Sequence, residues 1–290
     1  ITVDDVTYST NNWTNIDPQT SFSEDCSAIP LTYVPDDNFE QALIDLGYDS
    51  GALDDYVPTA NINSITALDV SSKNIADLTG IEDFVAITSL NCSFNNLSAL
   101  DVSNNILLEV LECVKNNFTS IDVSNNTALT SLNIVLNELT ALDVSNNTQL
   151  RTLNTSTNFL TSLDVSNNVL LESLYCDYNP LTSLNVKNGN NTNINVFHAD
   201  NNPSLNCIEV DDVAYSNNTW TNIDPQTSFS EDCSDTTAPI ITLLGDNPQI
   251  INLDDGYTEI GADTDDGSTV VIDATAFVDA VGSYTIYYNA

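Results

Sequence analysis

A leucine recurs with a 21-residue period through the middle of this chain, and this spacing restricts the possible fold more than any other sequence feature. The members of the series are Leu90, Leu111, Leu132, Leu153 and Leu174, and the flanking Leu68 and Val196 are each displaced outward by one position. A fixed period of this length is typical of a solenoid, in which each repeat forms one coil that packs against its neighbours. The spacing therefore predicts about seven coils.

Each 21-residue unit reads LxCxxNxLxxLDVSNNxxLxx, so a short apolar alternation followed by asparagine occurs twice. Alternate apolar residues point inward on a strand, and the asparagine that follows can turn the chain and bond to the backbone of neighbouring coils. Both faces of the coil should therefore carry parallel strands or strand-like segments. Two asparagine ladders are predicted, one of Asn95, Asn116, Asn137, Asn158 and Asn179, the other of Asn105, Asn126, Asn147 and Asn168.

This pattern resembles the bacterial leucine-rich-repeat proteins, and in particular their nested 21-residue class with LxxLxLxxNxLxxLDL in each turn. The resemblance covers roughly residues 29 to 234. It implies a mainly β leucine-rich-repeat solenoid. Two departures affect the first and last coils: Lys73 stands where a ladder asparagine is expected, and the segment 185–196 carries an extra residue.

A helix is predicted ahead of the coils, in VPDDNFEQALIDLGYD. Asp36 or Asp37 can cap it, Phe39, Leu43 and Leu46 form one apolar stripe, and Gly47 ends it. Because an open coil exposes its core, we expect this helix to be the N-terminal cap. Together with IADLTGIEDF, the segment also resembles the start of internalin-like surface proteins.

Residues 1–27 return almost unchanged as residues 208–234, with four differences. The second copy follows Cys207 and contains Cys233, whereas the first contains Cys26 alone. We expect a disulfide between Cys207 and Cys233 in a C-terminal cap, which requires an oxidising compartment; reduced core cysteines are the alternative. The duplication also suggests that the sequence is an excerpt from a protein that repeats whole solenoid domains.

After Ser234, short runs of Val, Ile, Thr and Tyr alternate with Gly, Asp, Asn and Pro, which predicts strands and turns. This segment resembles bacterial immunoglobulin-like surface modules and implies an incomplete β-sandwich. The expected domains are 1–27, the C-terminal cap of a preceding repeat domain; 28–63, the N-terminal cap with its helix; 64–205, the coils; 206–234, the C-terminal cap; and 235–290, the immunoglobulin-like domain.

The charge balance narrows the choice of partner. Asp and Glu number 42 against 4 Lys and Arg, a formal net charge of −38. Such a surface repels a phosphate backbone or an anionic membrane, so we expect neither nucleic acid binding nor membrane insertion. Calcium becomes a plausible ligand, although acidity that merely keeps the protein soluble is the simpler explanation.

One face of the coil barely changes from repeat to repeat, and its outward positions carry Asp, Ser and Asn. On parallel strands about 4.8 Å apart, its carboxylates would stack and repel unless solvated or bridged by a cation. Bonds from these side chains to the adjacent backbone are the alternative. The candidate calcium ligands are Asp101, Asp122, Asp143 and Asp164.

The opposite face varies, and it exposes more apolar surface than solubility would favour. We predict that this face binds a ligand; sequence drift without a ligand is the alternative. The candidate ligand-binding residues are Phe94, Val114, Val135, Leu136, Tyr175, Tyr178 and Phe197. His198 is predicted to point inward as a core residue, and Cys92, Cys113 and Cys176 to be buried thiols.

No GxSxG, HExxH or P-loop pattern occurs, so we expect neither an enzyme nor a bound cofactor. The favoured hypothesis is a secreted adhesin at the cell surface that presents its solenoid to a protein or glycan. The architecture resembles the surface adhesins of Bacteroidetes-type bacteria that use type IX secretion. Such bacteria attach O-glycans at short Asp-Thr-x patterns, which makes Thr236 a candidate. The alternative is a structural stalk, sheath or filament assembled from neighbouring copies.

Overall fold

The computed structural model describes residues 6–14, 30–234, 241–244, 261–264, 270–273 and 287–289. The chain divides into two compact units, Ile1–Cys233 and Ser234–Ala290. The helices of the first unit are α1 (Val6–Asn12), α2 (Asp37–Asp45), α3 (Thr59–Ile62) and α4 (Val213–Thr219). Its strands are β1 (Leu31–Tyr33), β2 (Tyr56–Pro58), β3 (Ala67–Asp69), β4 (Ser89–Asn91), β5 (Val110–Glu112), β6 (Ser131–Asn133), β7 (Thr152–Asn154), β8 (Ser162–Asp164), β9 (Ser173–Tyr175), β10 (Ser183–Asn185), β11 (Val196–His198), β12 (Cys207–Glu209) and β13 (Ser228–Ser230).

One side of the first unit is a seven-stranded parallel sheet with the order β11-β9-β7-β6-β5-β4-β3. The leucines of the periodic series lie at the centres of their strands, where each pairs with the next, as Leu90 does with Leu111. Their side chains are fully buried, because alternate strand residues point into the coil. The seven predicted coils are therefore confirmed.

The first asparagine ladder is present, and each of its amides joins two coils. Asn116 Nδ2 donates to the carbonyl oxygen of Cys92 in the preceding coil at 3.1 Å, and Asn116 Oδ1 accepts from the N–H of Leu97 at 3.1 Å. Asn202 belongs to the same ladder, with Nδ2 donating to the Ala199 and Cys176 carbonyls. Equivalent bonds are made by Asn95, Asn137, Asn158 and Asn179.

The second ladder bonds through its donor end only. Asn126 Nδ2 donates to the carbonyls of Val102 and Asn105 at 2.9 and 3.0 Å. The same pattern holds for Asn105, Asn147 and Asn168. All four side chains are fully buried, yet each Oδ1 lacks a hydrogen-bond partner in the described part of the chain. The two ladders are therefore not equivalent in the number of bonds that each asparagine makes.

The prediction of strands on both faces is correct for only part of the second face. Its four-stranded parallel sheet has the order β13-β12-β10-β8, so it begins at Ser162. Before that strand, the described residues of this face show one isolated bridge, between Asp101 and Asp122. This face therefore carries paired strands from Ser162 onward and one bridge before them, and the aspartate accepts from the serine N–H in both parts, as Asp122 does from Ser124 and Asp164 does from Ser166.

The predicted N-terminal helix is α2, and Asp36 is its N-cap residue. One carboxylate oxygen of Asp36 accepts from the N–H groups of Asn38 and Phe39, and the other accepts from Ala76 and Asp77 in the first coil. The Phe39 ring also stacks against Phe84, with ring centroids 6.4 Å apart. A single side chain therefore begins the helix and fixes it to the solenoid.

Leu46 does not belong to the buried stripe of this helix. Phe39 and Leu43 are fully buried, but Leu46 lies one residue past the helix and is 44% exposed. The chain turns there through Gly47, whose φ of +81° lies in the left-handed region that glycine adopts readily.

The Cys207–Cys233 disulfide is confirmed. It lies at the C-terminal end of the solenoid, where Trp220 stacks on Phe197 with ring centroids 4.3 Å apart and donates from Nε1 to the Ile194 carbonyl. Helices α1 and α4 occupy matching positions in the two copies of the repeated segment. Cys26 lies outside the described residues.

The last coil is longer than expected, which changes two predictions. Val196 pairs with Ser173, so Phe197 rather than Val196 lies beside Leu174. Phe197 is consequently buried, and its predicted place on the exposed variable face is wrong. His198 points outward instead of into the core, and its ring lies against Tyr175 on the sheet surface. Strand β10 keeps the regular register with β8, so the extra residues lie between β10 and β11, in a segment that contains a 3-10 helix at Asn191–Asn193.

The second unit contains two antiparallel pairs among its described residues. Strand β14 (Ile241–Leu243) pairs with β15 (Ala262–Thr264), and β16 (Val271–Asp273) pairs with β17 (Tyr287–Asn289). An immunoglobulin-like sandwich remains a prediction for this unit. Thr236 lies outside the residues that the structure describes.

The two ladders should differ in their contribution to stability. In Asn137→Ala, buried carbonyls lose the Nδ2 donor and the Phe118 N–H loses its acceptor, and each unpaired buried group costs about 1–3 kcal/mol. Asn126→Ala removes donated bonds only. We expect a loss of roughly 3–5 kcal/mol for Asn137→Ala and roughly 2–3 kcal/mol for Asn126→Ala in urea unfolding of the full chain. Equal losses would contradict the inequality of the ladders.

The double role of Asp36 predicts a larger effect than an ordinary helix cap. Asp36→Ala should reduce the free energy of unfolding by about 2–3 kcal/mol, against about 1 kcal/mol for a typical N-cap. Asp36→Asn retains one acceptor oxygen for the helix but replaces the other by an amide group. Its free energy of unfolding should therefore lie between those of the wild type and of Asp36→Ala. Thermal unfolding of the three proteins measures this order. A loss in Asp36→Ala no greater than that of an ordinary cap would show that the bonds to Ala76 and Asp77 contribute nothing.

Candidate binding face

The outward positions of the seven-stranded sheet and of the turn after each strand form one continuous surface, here called the variable face. In each coil it comprises the residue after the central strand residue and the two residues before the ladder asparagine. From the second coil onward these are Asn91, Ser93 and Phe94; Glu112, Val114 and Lys115; Asn133, Val135 and Leu136; Asn154, Ser156 and Thr157; Tyr175, Asp177 and Tyr178; and His198, Asp200 and Asn201.

The residue before each ladder asparagine adopts a left-handed backbone conformation. Its φ lies between 54° and 58° at Phe94, Lys115, Leu136, Thr157, Tyr178 and Asn201. This conformation costs most residues roughly 1–2 kcal/mol, and glycine and asparagine tolerate it best. Asn201 alone in this row is of a tolerant type. Five coils therefore hold a strained residue with a larger or branched side chain at the same outward position.

The structure brings six of the seven predicted ligand-binding residues to this face. Phe94, Leu136 and Tyr178 are 52%, 45% and 58% exposed. Val114, Val135 and Tyr175 are half-buried between neighbouring coils. Phe197 is the exception because of the register of the last coil. The side chain of Lys115 reaches over the Phe94 ring, with Nζ 5.8 Å from the centroid.

Sequence reasoning missed the residues at the C-terminal end of the variable face. The His198 ring stacks on Tyr175 with centroids 5.1 Å apart, and its Nε2 lies 3.3 Å from Asn222 Nδ2. Asp177 and Asp200 lie on neighbouring coils beside this stack. The sequence held one signal for this arrangement: the spacing from Asn179 to Asn202 exceeds the repeat by two positions, and aligning these two ladder members places His198 outward.

On the opposite face the aspartates act on their own turns. Asp101, Asp122, Asp143 and Asp164 each accept a hydrogen bond from the N–H of the serine two residues later, at 2.8–2.9 Å. Hydrogen bonds from Ser103, Ser124 and Ser145 hold the pKa of Asp101, Asp122 and Asp143 below the usual range. These bonds are the backbone role that the sequence left as the alternative to calcium.

Among the residues that the structure describes, two places offer carboxylates to a metal ion. Asp143 and Asp164 lie on either side of a cleft of about 310 Å³ that Ser145 and Ser166 also line. Near helix α2, ligand atoms of Asp37, Glu40 and Asp55 lie within 4.8 Å of one another, but the buried Glu40 uses both oxygens to accept the N–H groups of Asp54 and Asp55. Calcium binding by Asp143 and Asp164, and by Asp101 and Asp122 on the same face, remains a prediction.

The three predicted buried thiols are confirmed. Cys92, Cys113 and Cys176 are fully buried and outside any disulfide. The sulfurs of Cys92 and Cys113 are 3.2 Å apart on neighbouring coils, and burial raises the pKa of the Cys113 thiol. Ile134 and Thr155 occupy the next two positions, so Cys176 is separated from the pair.

Among the residues with an assigned structure, no helix combines the length and the apolar character that a bilayer crossing requires.

Comparison with solved structures identifies relatives in fold. The chain is similar to the functional domain of internalin J from Listeria monocytogenes, described as including a cysteine ladder, with 30% identity and a TM-score of 0.57. The match covers 69% of this chain and 48% of that structure. An internalin (inlF) from the same species shows 22% identity and a TM-score of 0.46, over 68% of each chain.

Comparison of sequences gives a shorter match. Over 73 residues the chain is 36% identical to internalin J of Listeria monocytogenes serotype 4b, which covers 25% of this chain and 8% of that protein. The chain thus spans a small part of this curated relative and about half of its solved domain. No protein-family model matches the sequence. With the coil geometry above, these matches show that the chain is a leucine-rich-repeat protein related to the Listeria internalins, with a mainly β solenoid and a disulfide near its C-terminal end.

Proposed function

We propose that this chain is the binding part of an extracellular surface protein, and that the variable face holds a protein or glycan ligand. Its relationship to the internalins supports a role in recognition rather than catalysis. The variable face supplies what a ligand needs: exposed apolar and aromatic side chains on a rigid sheet, with polar residues between them.

The row of left-handed residues is the observation that carries this proposal. Glycine or asparagine would relieve backbone strain of roughly 1–2 kcal/mol at each position. The chain instead places Phe94, Leu136 and Tyr178 there, and exposes each side chain by about half. These side chains contribute little to the core, so folding alone does not explain them. Backbone strain of this kind concentrates at functional sites, where a side chain is held in position at a cost in stability.

The disulfide at the end of the solenoid and the acidic surface fit an oxidising, extracellular setting. We therefore extend the proposal to a secreted adhesin at the cell surface, and to Bacteroidetes-type bacteria with type IX secretion on the resemblance described above. Calcium at Asp101, Asp122, Asp143 and Asp164 is part of this proposal in a secondary role, as an ion that stiffens the opposite face rather than one that contacts the ligand.

A structural stalk is the second candidate, and the repeated segment favours it. Helices α1 and α4 have the same length and the same place in two nearly identical copies. A spacer built from tandem domains tolerates such copying, since a stalk needs only repeated length. The two candidates differ in whether the variable face has a specific occupant.

A binding screen with matched variants tests the proposal. The full chain is presented to a phage-displayed peptide library and to a glycan array, and the tightest probe is measured against Leu136→Asn combined with Tyr178→Asn. Because asparagine accepts the left-handed conformation, this variant should keep or raise the thermal midpoint, by roughly 0.5–1 kcal/mol of stability per site. Binding should weaken at least tenfold.

The control is Ile106→Asn combined with Leu107→Asn. These two residues are 59% and 50% exposed but lie outside the variable face and have ordinary backbone angles. The control should leave binding within twofold of the wild type. If no probe is retained, or if both variants weaken binding equally, the variable face has no specific occupant and the stalk is the better account.

A further inference from the structure

The C-terminal end of the variable face differs in charge from the rest of that face. Asp177 and Asp200 occupy equivalent positions on neighbouring coils, where the preceding coils carry Ser93, Val114, Val135 and Ser156. The backbone of the two coils is joined there, since the Tyr178 N–H donates to the Asp200 carbonyl at 3.2 Å. The backbones that carry the two carboxylates are thus about one strand spacing apart, roughly 4.8 Å. The residues Tyr175, Asp177, Tyr178, His198 and Asp200 are here called the acidic end.

Each of these two carboxylates retains an unused oxygen. Asp177 Oδ1 accepts from Ser156 Oγ at 2.6 Å, and Asp200 Oδ2 accepts from Asn201 Nδ2 at 2.5 Å. The other oxygen of each has no hydrogen-bond partner within the described part of the chain. Asp224, the next carboxylate along, differs because both of its oxygens accept backbone N–H groups, from Asn201 and Asn202. Asp177 and Asp200 are therefore the pair that can accept bonds from outside.

Within the described residues, no lysine or arginine neutralises this pair. The sequence has 4 Lys and Arg, all in the described part. Lys73 pairs with Asp45, Arg151 pairs with Glu172, and Lys187 donates to the Glu231 carbonyl. Lys115 lies over the Phe94 ring, three coils from Tyr178, which is roughly 14 Å at the spacing of parallel strands. That distance exceeds the screening length of about 8 Å at physiological salt.

The buried residue beneath the acidic end reports the same negative potential. Cys176 lies between the two half-exposed tyrosines in sequence, with its side chain inside the coil. Burial raises the pKa of its thiol, and the charges of Asp177 and Asp200 raise that pKa further. The negative charges of both carboxylates therefore act on the same buried thiol.

Aromatic residues lie on the same two coils as the pair. Tyr178 is 58% exposed, and Tyr175 is stacked with His198 on the sheet surface. A planar cation that can bond to two carboxylates and lie against an aromatic ring matches this combination better than a compact one. The arginine guanidinium has this geometry, since it presents several donors in one plane and stacks on rings, whereas the lysine ammonium is a small, strongly hydrated charge.

Resting on the proposed binding role of the variable face, we propose that the acidic end is a subsite for arginine, and that the ligand of this face is a basic polypeptide segment. One guanidinium bonds to the free oxygens of Asp177 and Asp200 and lies against Tyr178. The apolar residues toward the middle of the face, Val135 and Leu136, contact the side chains that precede or follow the arginine. The net charge of −38 steers such a partner to the surface but does not select where it binds.

The test uses short synthetic peptides with blocked termini and one sequence, carrying either two arginines, two lysines, or two citrullines, which are neutral and of the same shape as arginine. Affinity for the full chain is measured by fluorescence anisotropy at physiological salt. The arginine peptide should bind at least tenfold more tightly than the citrulline peptide and several-fold more tightly than the lysine peptide. Equal affinity for arginine and citrulline would overturn the proposal.

Two double variants that change the net charge by the same amount distinguish binding at this subsite from general electrostatic attraction to the acidic surface. Asp177→Asn with Asp200→Asn should weaken the arginine peptide at least tenfold, and Tyr178→Ala should weaken it several-fold. Asp122→Asn with Asp143→Asn changes the net charge by the same amount on neighbouring coils of the opposite face, and it should alter the affinity less than threefold. Equal weakening by both double variants would show that the peptide responds only to the overall field.

The same variants distinguish the arginine subsite from the broader proposal that the variable face binds a ligand. An arginine peptide that loses affinity for the Leu136→Asn, Tyr178→Asn protein but is indifferent to Asp177→Asn with Asp200→Asn would overturn the arginine subsite and leave the binding role of the variable face standing. A probe that is insensitive to every substitution on this face would overturn both.

Discussion

Each coil changes direction directly after a short strand, and the turn leaves backbone carbonyls inside the coil that no sheet partner can reach. The side-chain amide of the ladder asparagine satisfies them. Because the Asn116 amide reaches the carbonyl of Cys92 while its oxygen accepts from Leu97, one residue closes its own turn and holds the preceding coil. The leucine core and the parallel sheet both depend on this bond, since they form only if successive coils keep one spacing and one register.

The two turns of a coil differ in how regularly a side chain accepts their remaining backbone hydrogen bonds. On the variable face, backbone bonds between coils continue past the strand, as from the Phe94 N–H to the Val114 carbonyl at 2.7 Å. Side chains add to these bonds in some coils only, where Asn91 accepts from the Ser93 N–H and Asn154 accepts from the Ser156 N–H. On the opposite face an aspartate accepts from the serine N–H in four successive coils, as Asp122 does from Ser124. The residue at this position is therefore constant through these coils on one face and variable on the other.

Much of the fold followed from spacing alone. The repeat period predicted the coils, the first ladder and the inward cysteines, because each of these depends only on which residues recur. The duplicated segment predicted the Cys207–Cys233 bond by comparison of its two copies. The cap helix could be read from local signals, since Asp36, Phe39 and Gly47 act close to one another along the chain.

The errors arose where geometry is not a local property of the sequence. The extra residues of the last coil shift Phe197 into the core and His198 to the surface. The leucine spacing does not reveal this shift, and the spacing between Asn179 and Asn202 is the one signal of it. The point at which strand pairing begins on the second face was hidden, because the repeat reads the same in coils with and without it. The left-handed backbone at Leu136 and Tyr178 was equally hidden, because these residue types normally indicate the opposite conformation.

The coils are joined in one direction, since each ladder amide reaches back to the coil before it and none in the described ladders reaches forward. The last coil has no following coil to supply these bonds, and the C-terminal segment supplies them instead. Asp224 accepts from the N–H groups of Asn201 and Asn202, and Gln226 donates to the Asn202 carbonyl. A cap that imitates the next coil does not depend on how many coils precede it. Whole coils can be gained or lost between fixed ends without any new chemistry, so the length of the recognition surface is a quantity that evolution can change in steps of one repeat.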